Sequence, residues 1–142
     1  MIQYMLDTDT SSYIIRKRPI EVLQRLHAAV SAGHEIVISV ITYAEFMQGI
    51  AASSYPERDA SVVHAFLERL NAVYDWDRAA ADAWASLYTS LKQAGTPIGP
   101  QDTMIAAHAL SLNAVVVTNN MKHFGRVPDL RTENWIETAA ED

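Results

Sequence analysis

Several short apolar runs with no polar alternation, each separated from the next by a longer stretch of helical patterning, constrain this chain most. Residues 2–7 (IQYMLD), 36–41 (IVISVI) and 114–118 (AVVVT) would be apolar on both faces of a strand. Strands of that kind belong to a parallel sheet, because parallel neighbours need crossover helices that cover both sheet faces. The helical stretches fit. Pro19 opens one, with Ile20, Leu23, Leu26 and Val30 at helical spacing and Gly33 as its stop. Others cover about 42–53, Pro56 to about Leu70, 78–93 behind an Asp77 cap, and 100–112 after Gly99-Pro100. Ala72 to Trp76 reads as a weak strand, 121–125 as a helical turn, and Leu130 to Trp135 as a final edge. The expected fold is a three-layer α/β/α sandwich on a central, mainly parallel sheet. One domain spans 1–136, with a frayed tail over 137–142.

Composition narrows the function classes. The chain has 142 residues and no cysteine, which excludes a disulfide scaffold, a thiolate zinc site and a cysteine nucleophile. No run approaches the ~20 apolar residues of a membrane span, and no basic leader precedes Asp7. A cytoplasmic protein is expected. Its net charge of −6 argues against coating nucleic acid through bulk charge.

In open α/β sheets, ligands bind beyond the carboxyl ends of the strands. Asp7 ends the first strand, Glu45 follows the second, and Thr118, Asn119 and Asn120 end the AVVVT strand. Asp102 opens the helix that leads into that strand and shares a face with Ile105, Ala106, Ala109 and Leu112. A carboxylate on an apolar stripe is costly unless it is paired, caps a helix or binds a metal. Each position also has a plainer reading: Asp7 as a cap, Asp102 as a first-turn acid, Glu45 as a solvated helix residue. Taken together, three carboxylates and an asparagine at strand ends or helix starts form a hard oxygen donor set suited to Mg²⁺ or Mn²⁺. A divalent ion there would lower the pKa of a water and stabilise a pentacovalent phosphorus, the chemistry of phosphodiester hydrolysis.

The segments MLDT, ISVITYAEFMQG, PIGPQDTMIAAHA, VVVTNNMKHF and LRTENW, in that order over nearly the whole chain, resemble PIN-domain ribonucleases, specifically VapC-type toxins of bacterial type II toxin–antitoxin modules. The resemblance implies Mg²⁺- or Mn²⁺-dependent endonucleolytic cleavage of a structured RNA, a tRNA or ribosomal RNA loop. It also implies 5′-phosphate and 3′-hydroxyl products. The implied partners are a VapB-like antitoxin and a second copy of the chain, within a larger toxin–antitoxin complex. Asp7 and Asp102 would be the metal ligands, with Glu45 completing the acidic cluster. The family's fourth acidic position falls on the neutral Asn120, which puts a tight second metal site in doubt. Thr118 would orient the cluster with its hydroxyl.

Arg16, Lys17 and Arg18 form the only basic run, one helical segment after Asp7, and Lys122 and Arg126 follow Asn120. Arg16, Lys17 and Lys122 are the candidate phosphate contacts, against the alternative of a solvated helix end and turn. The five histidines show no HExxH pattern; His108 reads as structural and His123 as a surface residue near the site. The tryptophans read as core or interface anchors. Two rival functions remain. LDTDTS resembles the nucleophile loop of haloacid-dehalogenase-like phosphatases, but only 24 residues follow Thr118 and they hold no later acidic pair in strand context. A PIN-like module that binds RNA or a partner without cutting would explain Asn120.

Overall fold

β1 (Gln3–Leu6) lies at the centre of the sheet because Tyr4, Met5 and Leu6 are buried in turn on alternate faces. The computed structural model describes residues 1–136; the tail expected over 137–142 lies outside the described residues. Two helices, α1 (Thr8–Arg16) and α2 (Ile20–Ser31), carry the chain back to β2 (Glu35–Ser39). Then α3 (Val40–Ala51) and α4 (Pro56–Glu68) lead to β3 (Ala72–Tyr74). Next, α5 (Arg78–Gln93) and α6 (Pro100–Leu112) cross to β4 (Val115–Val117), and α7 (Met121–Phe124) precedes β5 (Thr132–Glu133). The five strands are ordered β3-β2-β1-β4-β5 and every pairing is parallel.

The period of two along each strand divides the core. Met5, Val37 and Val116 face Leu87 and Leu91 of α5 and Ile105 and Ala109 of α6. Tyr4, Leu6, Ile38 and Val117 face Val22 of α2 and Phe66 of α4 on the other side. This is the expected three-layer sandwich. Trp135 is buried edge-on against Tyr4, and Trp76 packs on His108. Trp84 stacks on Tyr88 at the surface.

The strands are shorter than expected, Ala72–Tyr74 and Thr132–Glu133 among them, and one of the shifted boundaries has a local cause. The run 36–41 does not stay extended to its end. Ser39 is the last residue of the strand and its hydroxyl accepts from the Ile41 N–H (3.0 Å), so α3 starts at Val40. A capping serine ended the strand where β-branching alone suggested that it continue. No helix among the described residues is long and apolar enough to cross a membrane.

Strand order runs outward from β1 in one direction to β3, then outward in the other from β4 to β5. The reversal falls between β1 and β4, where Leu6 pairs with Val117 and the Asp7 N–H donates to Val117 O (3.1 Å). Asp7 and Thr118 are therefore side by side at the topological switch point, the place where open α/β sheets bind ligands.

Candidate active site

Asp7 is both strand end and helix cap. Its Oδ1 accepts from the Thr10 N–H (2.8 Å), as the capping reading expected. It is also 3% exposed. Burial pushes its carboxyl up from 3.8 to about 6, against the lowering effect of hydrogen bonds from the Thr118 hydroxyl and the Thr10 amide. Among the described residues no Lys or Arg pairs with Asp7, Glu45 or Asp102.

Thr118 is fully buried and does two jobs with one hydroxyl. It donates to Asp7 and accepts from the Asn120 N–H (2.8 Å). That link carries the chain of contacts from β1 to the loop after β4. Asn120 then caps α7: its Oδ1 accepts from the His123 N–H (3.3 Å), while its amide Nδ2 donates to Asp102 Oδ2 (3.2 Å). Asp102, in the first turn of α6, also receives His123 Nδ1 on the same oxygen (2.9 Å).

Glu45 enters from α3. Because that helix starts at Val40, Glu45 lies in its second turn. Thr8, the residue after Asp7, donates to Glu45 Oε1 (2.5 Å) and lies 3.2 Å from the Thr42 hydroxyl. His108 fixes the helices relative to one another. Its Nδ1 meets the Ser39 hydroxyl (2.7 Å), tying α6 to the cap of α3, and burial pushes its pKa down. It is structural, as expected.

Asp7, Thr118, Asn120 and Asp102 thus form one hydrogen-bonded path, with Glu45 joined to it through Thr8. The carboxylates are linked through hydroxyl and amide donors; among the described residues no three His, Asp or Glu side chains are close enough to enclose a metal ion. Lys122 is exposed on α7, between Asn120 and His123. Arg16 and Lys17 end α1, on the order of 13 Å along its axis from Asp7 at a helical rise of about 1.5 Å per residue. Arg16 lies over the Tyr13 ring and Lys17 forms a left-handed cap with φ 61°.

Two contacts of the site go beyond the sequence reading. His123, expected as a surface residue near the site, is about one-third exposed and bonded to Asp102. Its position three residues after Asn120 on a helical turn was the available signal. Thr8 had no signal beyond adjacency to Asp7. Asp9, the second acid of the phosphatase-like LDTDTS run, is exposed on α1 while Asp7 is buried beneath the sheet end.

Comparisons with known proteins agree with this geometry. The PIN domain family model matches residues 4–130. The chain is 41% identical over 136 residues to the ribonuclease VapC2 of Haemophilus influenzae, covering 96% of this chain and 100% of the relative. It is 41% identical over 135 residues to the tRNA(fMet)-specific endonuclease VapC of Salmonella typhimurium, covering 95% of this chain and 99% of that protein. Its fold superposes on a chain of the Rickettsia felis VapBC2 complex bound to a promoter DNA fragment. The TM-score is 0.88 at 37% identity, over 94% of this chain and 99% of the other.

Proposed function

Because the chain belongs to the PIN-domain family, in its VapC-type ribonuclease branch, we propose that it is a divalent-cation-dependent endoribonuclease toxin that cuts tRNA(fMet). One observation carries the reading. Asp7 and Asp102, from different crossovers, are joined through Thr118 and Asn120 at the carboxyl end of a parallel sheet. The named specificity of the Salmonella typhimurium relative supports the choice of substrate.

The donor set fits a hard cation. It is all oxygen, and Asp7 is buried with no basic partner among the described residues, a state that a divalent ion would relieve. Asp7 and Asp102 would hold Mg²⁺ or Mn²⁺, with Glu45 completing the acidic edge. When bound, such an ion supplies positive charge for the phosphodiester and acidifies water. The chain's own groups prepare the site. Thr118 orients Asp7, Thr8 orients Glu45, and the Asn120 amide holds one oxygen of Asp102. Lys122 is the basic group nearest the asparagine in sequence and offers a phosphate contact.

The partner is a VapB-like antitoxin, as in the VapBC complexes that share the fold. An apolar groove of about 600 Å³ between α1, α2 and α4, lined by Ile14, Leu23, Leu26, Val62, Phe66 and Leu70, is a surface suited to an apolar segment of such a partner. A homodimer acting in the cytoplasm completes the proposal.

The test is incubation of purified protein with total RNA, with and without Mg²⁺, followed by mapping of new 5′ ends. Cuts confined to tRNA(fMet), bearing 5′-phosphates and appearing only with the ion, are expected. Binding of RNA without cleavage would instead establish the non-catalytic module, and cuts in ribosomal RNA would replace the substrate.

A further inference from the structure

Resting on that reading, we infer that α7 is a clamp on Asp102 and that His123 is a positioning residue for the reaction. Both Asn120 Nδ2 (3.2 Å) and His123 Nδ1 (2.9 Å) converge on Asp102 Oδ2. Among the described residues Oδ1 accepts no hydrogen bond, so it is the oxygen that the clamped carboxylate offers to a cation.

The proton positions follow from the contacts. Asn120 Oδ1 takes the His123 N–H, which turns the amide nitrogen towards Asp102. The opposite amide orientation would set oxygen against carboxylate and N–H against N–H. His123 Nδ1 lies 3.0 Å from Asn120 Nδ2 and 2.9 Å from Asp102 Oδ2. A hydrogen bond to the charged carboxylate is the stronger of the two, so Nδ1 carries the proton and donates to Asp102.

The clamp is seated on the core. Phe124 is fully buried next to His123, and Val127 follows it into the same cluster. Thr118 holds the Asn120 N–H from below. Gly125 lets the turn close, since a β-carbon there would stand 2.5 Å from Met121 O. The neutral residue at 120 now has a reason: an aspartate there would meet Asp102 as a like charge, whereas the amide grips it.

Hydrogen bonds behind a metal ligand set its orientation, and their loss typically weakens ion binding by about 10- to 100-fold. The experiment uses the full chain and Mn²⁺ alone as the probe, with calorimetry for affinity and tRNA(fMet) cleavage at graded Mn²⁺ for activity. His123→Ala and His123→Phe are expected to weaken Mn²⁺ binding about 10-fold and to raise the Mn²⁺ needed for half-maximal cleavage by the same factor. The maximal rate at saturating Mn²⁺ and the KM for RNA stay near wild type. His123→Asn, whose Nδ2 can occupy the place of Nδ1, restores the affinity. The phenylalanine variant keeps the ring volume, so loss of packing is separated from loss of the donor. Wild-type Mn²⁺ affinity in both His123→Ala and His123→Phe, or an Asn variant as weak as they are, overturns the clamp and leaves the nuclease reading standing. A wild-type chain that neither binds Mn²⁺ nor cuts overturns the metal-dependent reading and the clamp with it.

Discussion

Asp7 and Asp102 carry the same functional group into opposite surroundings. Asp7 is 3% exposed and caps a helix; burial outweighs the bonds it takes from a hydroxyl and an amide, and its pKa rises to about 6. Asp102 keeps about a quarter of its side chain exposed and is gripped by an amide and an imidazole on a separate turn. The first is held by the sheet itself, the second by an appendage packed onto the sheet. A site built this way has one carboxylate whose charge strains the fold and one whose orientation depends on a neighbour. Removing either charge removes a ligand, but the consequences for stability differ.

The largest expected effect ignores that difference. Asp7→Asn and Asp102→Asn should each lower tRNA cleavage by about 100-fold or more, since each removes a charged ligand, while far-ultraviolet circular dichroism stays native. Unchanged cleavage in either purified variant would falsify the assignment.

Stability separates the two. The folded pKa of Asp7 is raised from 3.8 to about 6, so the folded state holds its proton more tightly than the unfolded chain does. That contribution is complete below pH 3.8 and is lost as pH rises through about 6. In metal-free protein at pH 7, Asp7→Asn should therefore be more stable than wild type by on the order of 2 kcal/mol in urea denaturation. The gap should close towards pH 4. Asparagine retains the cap to Thr10. Asp102→Asn should show no comparable gain, because its carboxylate is already partly solvated.

Thr118→Val tests the bridge between the two halves. It leaves a buried Asp7 oxygen and the Asn120 N–H without their partner, and should cost about 1–3 kcal/mol at pH 7 by the same denaturation. A loss within error would mean that the hydroxyl is not what couples them. Smallest is the contrast between basic residues. Lys122→Ala should weaken RNA binding roughly threefold at moderate salt and lower the salt slope, the loss expected for one phosphate contact. Arg16→Ala, at the far end of α1, should change it less; equal losses would place RNA along the whole of that helix.

Much of the site was readable before its geometry. Asp7, Asp102, Glu45 and Thr118 stand where strand ends and helix starts could be located from β-branched runs and from Gly99-Pro100. Those signals are local. What escaped were the long-range partners of Glu45 and Asp102. Thr8 meets Glu45 across 37 positions of sequence separation, and His123 meets Asp102 across 21. Ser39 ended its strand early because its hydroxyl satisfies the Ile41 N–H and so starts α3.

The sequence by itself determined the layers, the parallel sheet and the acidic edge, because apolar periodicity and capping act over a few residues at a time. The tertiary structure decided how the edge is wired. Asp7 is buried between β1 and α1, Asp102 is turned by α7, and both outcomes depend on strand order and on which side chains the core leaves no room to move. Periodicity contains no term for those distances; packing sets them.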